Sequence, residues 1–210
     1  MLAAIFDQMT PEHIQFMLSK IPMGRFGMPE EVAAMAAAVA AQFGGVDILV
    51  TNAGLRRQTS FLDMSFAEWR EILSVALDGA FIITQAFAQQ MTARGGGSII
   101  GLSGISTHVG TPNRAHVSAS KSGLEGLMRA LAVELAPKGI RANCVAPGAV
   151  DTVRGASAGS MPSTLADGGI PMRRRASVAE IADVVRMLAG PEGGYITGQT
   201  IHVNGGAFLT

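Results

Sequence analysis

The chain has 210 residues, enough for one domain with a sizeable core, and 48% of its residues are hydrophobic while only 15% are charged. Sixteen basic residues balance sixteen acidic ones, so the net charge does not indicate binding to nucleic acid or to an anionic membrane surface. No stretch approaches the roughly 18 apolar residues of a membrane span, and the first residues lack the basic region of a signal peptide. We therefore expect a cytoplasmic protein with a small-molecule partner, no nucleic acid and no membrane.

Helix signals dominate the first part of the chain. Pro11 and Pro29 each stand at a first helical position, and the second of these helices should end before Gly44. We predict one domain, with a helical N-terminal segment over residues 1–43 and an α/β core over residues 44–210.

Short apolar runs alternate with helical patterns along the rest of the chain. Strands are predicted over 46–50, 98–102, 140–145 and 199–203, and helices over 66–92, 115–135 and 178–188. This alternation predicts a parallel sheet with right-handed crossovers. The first strand should be buried on both faces, and Cys144 should be an inert thiol in the core.

Part of the sequence repeats. Ile-Pro-Met at 21–23 followed by Glu-Val-Ala at 31–33 matches Ile-Pro-Met at 170–172 followed by Glu-Ile-Ala at 180–182. Two similar amphipathic helices would explain the match, but the constant offset favours partial duplication. Two copies are too few for a solenoid.

Several short motifs follow one another in a fixed order. They are Asn-Ala-Gly at 52–54, Ser-Ala-Ser-Lys at 118–121, Pro-Gly at 147–148, and Tyr-Ile-Thr-Gly-Gln at 195–199 before Val-Asn-Gly-Gly at 203–206. In this order and spacing they resemble the short-chain dehydrogenase/reductase family. The resemblance implies a Rossmann-like sheet and the oxidation of alcohols or reduction of ketones with NAD or NADP. It also implies that nicotinamide-binding positions fall at Asn52, Gly54, Pro147 and Gly148.

The N-terminal part departs from that family. Its members begin with a strand and a glycine-rich turn that cradles the pyrophosphate, whereas Gly24 to Gly27 neither has that spacing nor follows a strand. Residues 1–43 instead resemble the family's own C-terminal part. We therefore predict a truncated and rearranged sheet, with the strand at Val46 at or near an edge that invites pairing.

The catalytic positions depart as well. The family's tyrosine corresponds to Val117, its serine to Gly104 and its supporting asparagine to Ala76, so that only Lys121 remains. A valine cannot donate a proton to an alkoxide. On this basis the sequence predicts a degenerate member that has lost hydride transfer, uses no nicotinamide cofactor and keeps a small-molecule cleft.

Two alternatives stay open. Ser103, His116, Lys121 and Asp151 follow strand ends and are candidates for a cofactor-independent hydrolase of esters, lactones or glycosides. No Gly-x-Ser-x-Gly elbow accompanies them. The other alternative is a residual oxidoreductase in which Asn52 and Lys121 still hold the nicotinamide ribose and His116 is the nearest proton donor in sequence.

Metal binding and assembly complete the expectations. The four histidines show no metal-ligand spacing, so no metal is predicted. The helices over 66–92 and 115–135 occupy the positions through which the family dimerises, and we expect a homo-oligomer, either a dimer or a tetramer.

Overall fold

The structure is a computed structural model that describes residues 29–152 and 169–210. Its helices are α1 (Pro29–Phe43), α2 (Phe66–Leu73), α3 (Gly79–Arg94), α4 (Ser106–Val109), α5 (Ala115–Leu135) and α6 (Val178–Ala189). Its strands are β1 (Ile48–Thr51), β2 (Gly97–Leu102), β3 (Ile140–Pro147) and β4 (Thr200–Val203). One π-helical turn, Ser74–Asp78, joins α2 to α3.

The four strands form one parallel sheet in the order β1-β2-β3-β4. In the register of the first two strand pairs, Val50 lies beside Ile100, and Ile100 beside Asn143. Because the strands are parallel, their carboxyl ends all meet at one edge of the sheet, where α/β proteins bind ligands. The prediction of a Rossmann-like parallel sheet with flanking helices is confirmed.

Helices cover the sheet on both faces. Ile99 belongs to a core cluster with Met91 of α3 and Met128 of α5, whereas Ile100 packs with Leu188 of α6. Neighbouring residues of a strand point to opposite faces, so β2 supplies both clusters. The result is a three-layer arrangement that holds the carboxyl ends of the strands in fixed positions.

Strand β1 lies at the edge of the described sheet, as the sequence predicted. Its burial on both faces was predicted wrongly: Leu49 and Thr51 are buried, but Ile48 is 50% exposed and Val50 is 41% exposed. The apolar run indicated a strand but contained no information about whether a second layer covers each face.

The N-terminal helical segment is described only from residue 29 onward. There α1 packs on α3, and Gln90 Nε2 donates a hydrogen bond of 2.7 Å to the carbonyl of Ala36. The helix predicted from Pro11, the Ile-Pro-Met copy at 21–23 and most of the loop between Asp151 and Gly169 lie outside the described residues.

Local capping signals set two helix starts. Ser65 Oγ accepts a hydrogen bond from the backbone N–H of Glu68 at the start of α2. Ser177 and Glu180 form a reciprocal capping box at the start of α6. Each cap satisfies backbone donors that the first helical turn leaves without partners.

The single cysteine belongs to the core. Cys144 is buried, as the sequence predicted, and burial raises the pKa of its thiol to about 12.

Residues 66–94 form one helix that is long and apolar enough to cross a membrane, a test that core helices of soluble proteins also pass. Here α3, its second half, packs on the sheet and on α1.

Candidate functional site

A cleft of about 540 Å³ opens at the carboxyl edge of the sheet. Loops after β1, β2 and β3 form its floor, and the first turns of α5 and the inner face of α6 form its walls. The polar residues that line it are Asn52, Arg56, Ser103, Ser106, Arg114, Lys121 and Thr152. A cavity of this size with a few polar groups suits a small organic ligand.

Lys121 occupies the centre of this edge. Its Nζ donates a hydrogen bond of 2.5 Å to the carbonyl of Leu102 at the end of β2. A Cβ atom placed on Gly54, after β1, would lie 3.4 Å from the same Nζ. Burial, together with the neighbouring charge of Arg56, lowers the pKa of Lys121 to about 8. The ammonium is therefore held between two strand ends and loses its proton not far above neutral pH.

The three positions that depart from the family all lie around this lysine. Val117 is 6% exposed and lines the cleft. Ala76 Cβ lies 4.0 Å from the place of a Cβ on Gly54. A Cβ on Gly104 would lie 3.8 Å from the Oγ atom of Ser106, so a hydroxyl from the next turn approaches the place of the family's serine.

Ser103 contacts a buried carboxylate. Its Oγ donates a hydrogen bond to Oε1 of Glu125, a residue of α5 that is 4% exposed. The same oxygen lies 3.1 Å from Nε2 of His108 and 3.4 Å from the hydroxyl of Thr107. Sequence reasoning missed Glu125, although it stands one helical turn after Lys121 and so shares its face of α5.

His116 and Asp151 do not join Ser103. The ring of His116 is fully buried, and its Nε2 lies 3.1 Å from Oε1 of Glu68 in α2. Asp151 is exposed, and its backbone N–H donates to the carbonyl of Ala176. Neither is among the described residues that line the cleft. The structure therefore brings Ser103 and Lys121 together at the cleft without the predicted histidine and acid.

The residues predicted to hold a nicotinamide all line the cleft: Asn52, Gly54, Pro147 and Gly148. Because Gly54 has no side chain, the Lys121 ammonium is open to the loop after β1. A Cβ on Gly148 would lie 2.8 Å from the Cα of Asn204. These glycines keep side chains out of the space between the strand ends. An amide, an ammonium and two bare backbone turns fit the ribose and ring of a nicotinamide nucleotide.

Taken together, a parallel sheet covered on both faces, a cleft at its carboxyl edge and a lysine reaching into that cleft define the architecture of a Rossmann-like dehydrogenase. Residues 27–207 match the family model described as enoyl-(acyl carrier protein) reductase. The chain belongs to the short-chain dehydrogenase/reductase family.

Individual relatives agree with this assignment. The chain is 37% identical over 199 residues to the uncharacterized oxidoreductase YohF of Escherichia coli, covering 94% of this chain and 76% of that protein. It is 35% identical to the 3-oxoacyl-[acyl-carrier-protein] reductase FabG of Vibrio cholerae, covering 86% of this chain and 74% of the relative. A gluconate 5-dehydrogenase from Burkholderia cenocepacia, solved with NADP and tartrate, superposes with a TM-score of 0.78 at 31% identity, covering 86% and 71% of the two chains.

These relatives correct two predictions made from the sequence. The interpretation as a degenerate protein or a hydrolase is wrong, because the relatives are oxidoreductases and reductases. The prediction of no nicotinamide cofactor is also wrong, because the solved relative holds NADP. Both errors came from treating the missing glycine-rich turn and the replaced catalytic positions Val117, Gly104 and Ala76 as proof that the function was lost.

Proposed function

We propose that the chain is an NAD(P)-dependent oxidoreductase that interconverts a carbonyl and a hydroxyl group in a small molecule. The observation that carries this proposal is the position of Lys121, whose ammonium lies between the ends of β1 and β2 at the floor of the cleft. The names of the relatives and the NADP in the solved one support it. When bound, the nicotinamide supplies or accepts a hydride.

The cleft residues have separable roles in this proposal. Asn52 and Lys121 hold the ribose hydroxyls, and the turn at Pro147 and Gly148 leaves room for the ring. Val117 is an apolar wall that excludes water from the reacting carbon. Lys121 also stabilises negative charge that develops on the substrate oxygen, because its ammonium is partly desolvated.

The charges of the cleft favour an anionic substrate. Arg56, Arg114 and Lys121 line it, and no carboxylate appears among its described lining residues. A concave surface with one sign of charge raises the local concentration of ligands of opposite sign. The solved relative holds tartrate, a dicarboxylate. We therefore propose a hydroxy acid or keto acid as the substrate class.

The decisive experiment combines binding and turnover. Calorimetric titration with NADPH and NADH should show saturable binding, and a panel of keto acids should then be reduced with loss of nicotinamide absorbance at 340 nm, a general property of the reduced ring. Lys121→Met should abolish turnover, while Lys138→Met, an exposed lysine far along the chain, is the matched control. No binding of either dinucleotide at millimolar concentration would refute the function.

The proposed assembly and location follow from the same family. We propose a cytoplasmic homo-oligomer, a dimer or tetramer. Phe66 of α2 and Phe81 of α3 are 66% and 51% exposed, which suits burial against a second copy. Light scattering on the eluted protein measures the mass directly, and a monomer at micromolar concentration would contradict this part of the proposal.

A further inference from the structure

Buried and exposed groups connect the cleft to the protein surface. Ser103 lines the cleft, and its hydroxyl donates to Oε1 of Glu125. That oxygen lies 3.1 Å from Nε2 of His108. Glu125 is only 4% exposed, whereas the side chain of His108 is 25% exposed. The three groups form a continuous chain of hydrogen-bonding atoms with solvent at one end and the cleft at the other.

We propose that Ser103, Glu125 and His108 form a proton path that supplies the proton consumed when a carbonyl substrate is reduced. The proposal rests on the oxidoreductase function proposed above. It addresses the central departure of this chain: Val117 places a hydrocarbon where the family has its proton donor, so the proton must arrive from another direction.

The path moves one proton without net change in its own residues. Reduction of a carbonyl takes up a hydride, supplied by a reduced nicotinamide, and one proton. The O–H bond of Ser103 turns from Glu125 toward the substrate and breaks as an O–H bond forms on the substrate oxygen. Nε2 of the protonated His108 passes its proton to the carboxylate oxygen Oε1 of Glu125, which passes it on to Oγ of Ser103, and the neutral imidazole then regains a proton from solvent. Alcohol oxidation runs the same transfers in reverse.

Neighbouring groups hold the path in place. The ring of His108 lies edge-on to the ring of His202 in β4, with centroids 4.6 Å apart, and stacks on Phe208 at 5.3 Å. Such packing fixes the direction of Nε2 toward Glu125. The hydroxyl of Thr107 lies 3.4 Å from Oε1 of Glu125 and donates a hydrogen bond of 2.9 Å to the carbonyl of Gly104.

Titratable groups of α5, β3 and β4 lie near the same carboxylate. Arg129 Nη1 lies 3.9 Å from Oε2 of Glu125, and Lys121 precedes Glu125 by one turn on α5. From the sheet, Cys144 of β3 faces Glu125, and His202 of β4 faces His108. Burial and the neighbouring His108 lower the pKa of His202, while Glu125 raises it. His202 therefore reports on both members of the path.

The test compares Glu125→Gln and His108→Ala with Glu134→Gln, the same chemical change on an exposed residue of α5. Dinucleotide affinity should be preserved in all three. Loss of a general acid typically costs about 100-fold or more, and we expect kcat for keto-acid reduction to fall by about that factor in the first two variants and to stay unchanged in the control. Added imidazole should restore part of the rate to His108→Ala, because the vacated site is open to solvent.

A second readout needs no cofactor. In the free protein, the NMR titration of His202 should move to lower pH in Glu125→Gln and to higher pH in His108→Ala, because the carboxylate and His108 act on its pKa in opposite directions. If Glu125→Gln does not fold, His108→Ala and its rescue by imidazole still test the proton path.

Failure of the oxidoreductase function can be distinguished from failure of the proton path. Wild-type protein that neither binds nor oxidises NADPH would overturn the oxidoreductase function and the path with it. Wild-type turnover that both substitutions leave unchanged would overturn the path alone. A rate loss in His108→Ala that imidazole does not restore, with an unmoved His202 titration, would assign His108 a purely structural role and would also overturn the path.

Discussion

Burial of the Lys121 ammonium should make stability depend on pH in a defined window. Its pKa falls from 10.5 in the unfolded chain to about 8 in the folded protein, mainly through burial. Between these values the folded protein has released a proton that the unfolded chain still binds, so unfolding takes up a proton. Raising the pH from 8 to 10.5 therefore stabilises the fold. The difference between the two pKa values corresponds to at most about 3 kcal/mol.

The measurement isolates this contribution by comparison with Lys121→Met. Urea unfolding, followed by the fluorescence of Trp69, the single tryptophan, gives the free energy of unfolding at a series of pH values. The wild-type free energy minus that of Lys121→Met should be constant below pH 8 and rise by up to about 3 kcal/mol by pH 10.5. Lys138→Met, which removes an exposed ammonium, should show no such rise. If the difference in free energy of unfolding between wild type and Lys121→Met does not change with pH, the inference that burial lowers the pKa of Lys121 is refuted.

Three further predictions concern single side chains. Burial raises the pKa of Cys144 to about 12, so mass spectrometry should find it alkylated by iodoacetamide in urea but not in native buffer. Ser177→Ala removes the capping box of α6 and should cost about 1 kcal/mol in urea unfolding, whereas Ser122→Ala on the exposed side of α5 should cost under about 0.5 kcal/mol. Val117→Tyr restores a phenol one helical turn from Lys121 and should raise kcat by about tenfold or more. An unchanged kcat in the folded variant would contradict the inference that the missing proton donor at position 117 limits the rate.

Much of the fold was predictable because its signals are local. Apolar runs indicated four strands, and the observed strands begin within two residues of the predicted positions. Ser65 begins α2 through a hydrogen bond to a residue three positions away, and Gly95 ends α3 in the left-handed conformation that glycine adopts readily. Such interactions involve neighbours in sequence, so composition and spacing are sufficient to predict them.

The candidate site was predictable only in part. Asn52, Lys121 and Gly148 belong to short motifs, and the structure places all three at the cleft. The pairing of Ser103 with His116 failed, because α2 supplies Glu68 to the histidine while α5 supplies Glu125 to the serine. Which carboxylate approaches which side chain depends on how helices pack across the sheet.

By itself, the sequence therefore determined the strands, the helices, their caps and the motifs at the strand ends, because each depends on residues close along the chain. Only the tertiary structure decided that β1 leaves Ile48 and Val50 exposed, and that Ser103, Glu125 and His108 meet in one network. These contacts join the end of β2 to α4 and to the third turn of α5. The packing of the helices on the sheet sets the distances between these side chains. The spacing of residues along the chain does not determine that packing.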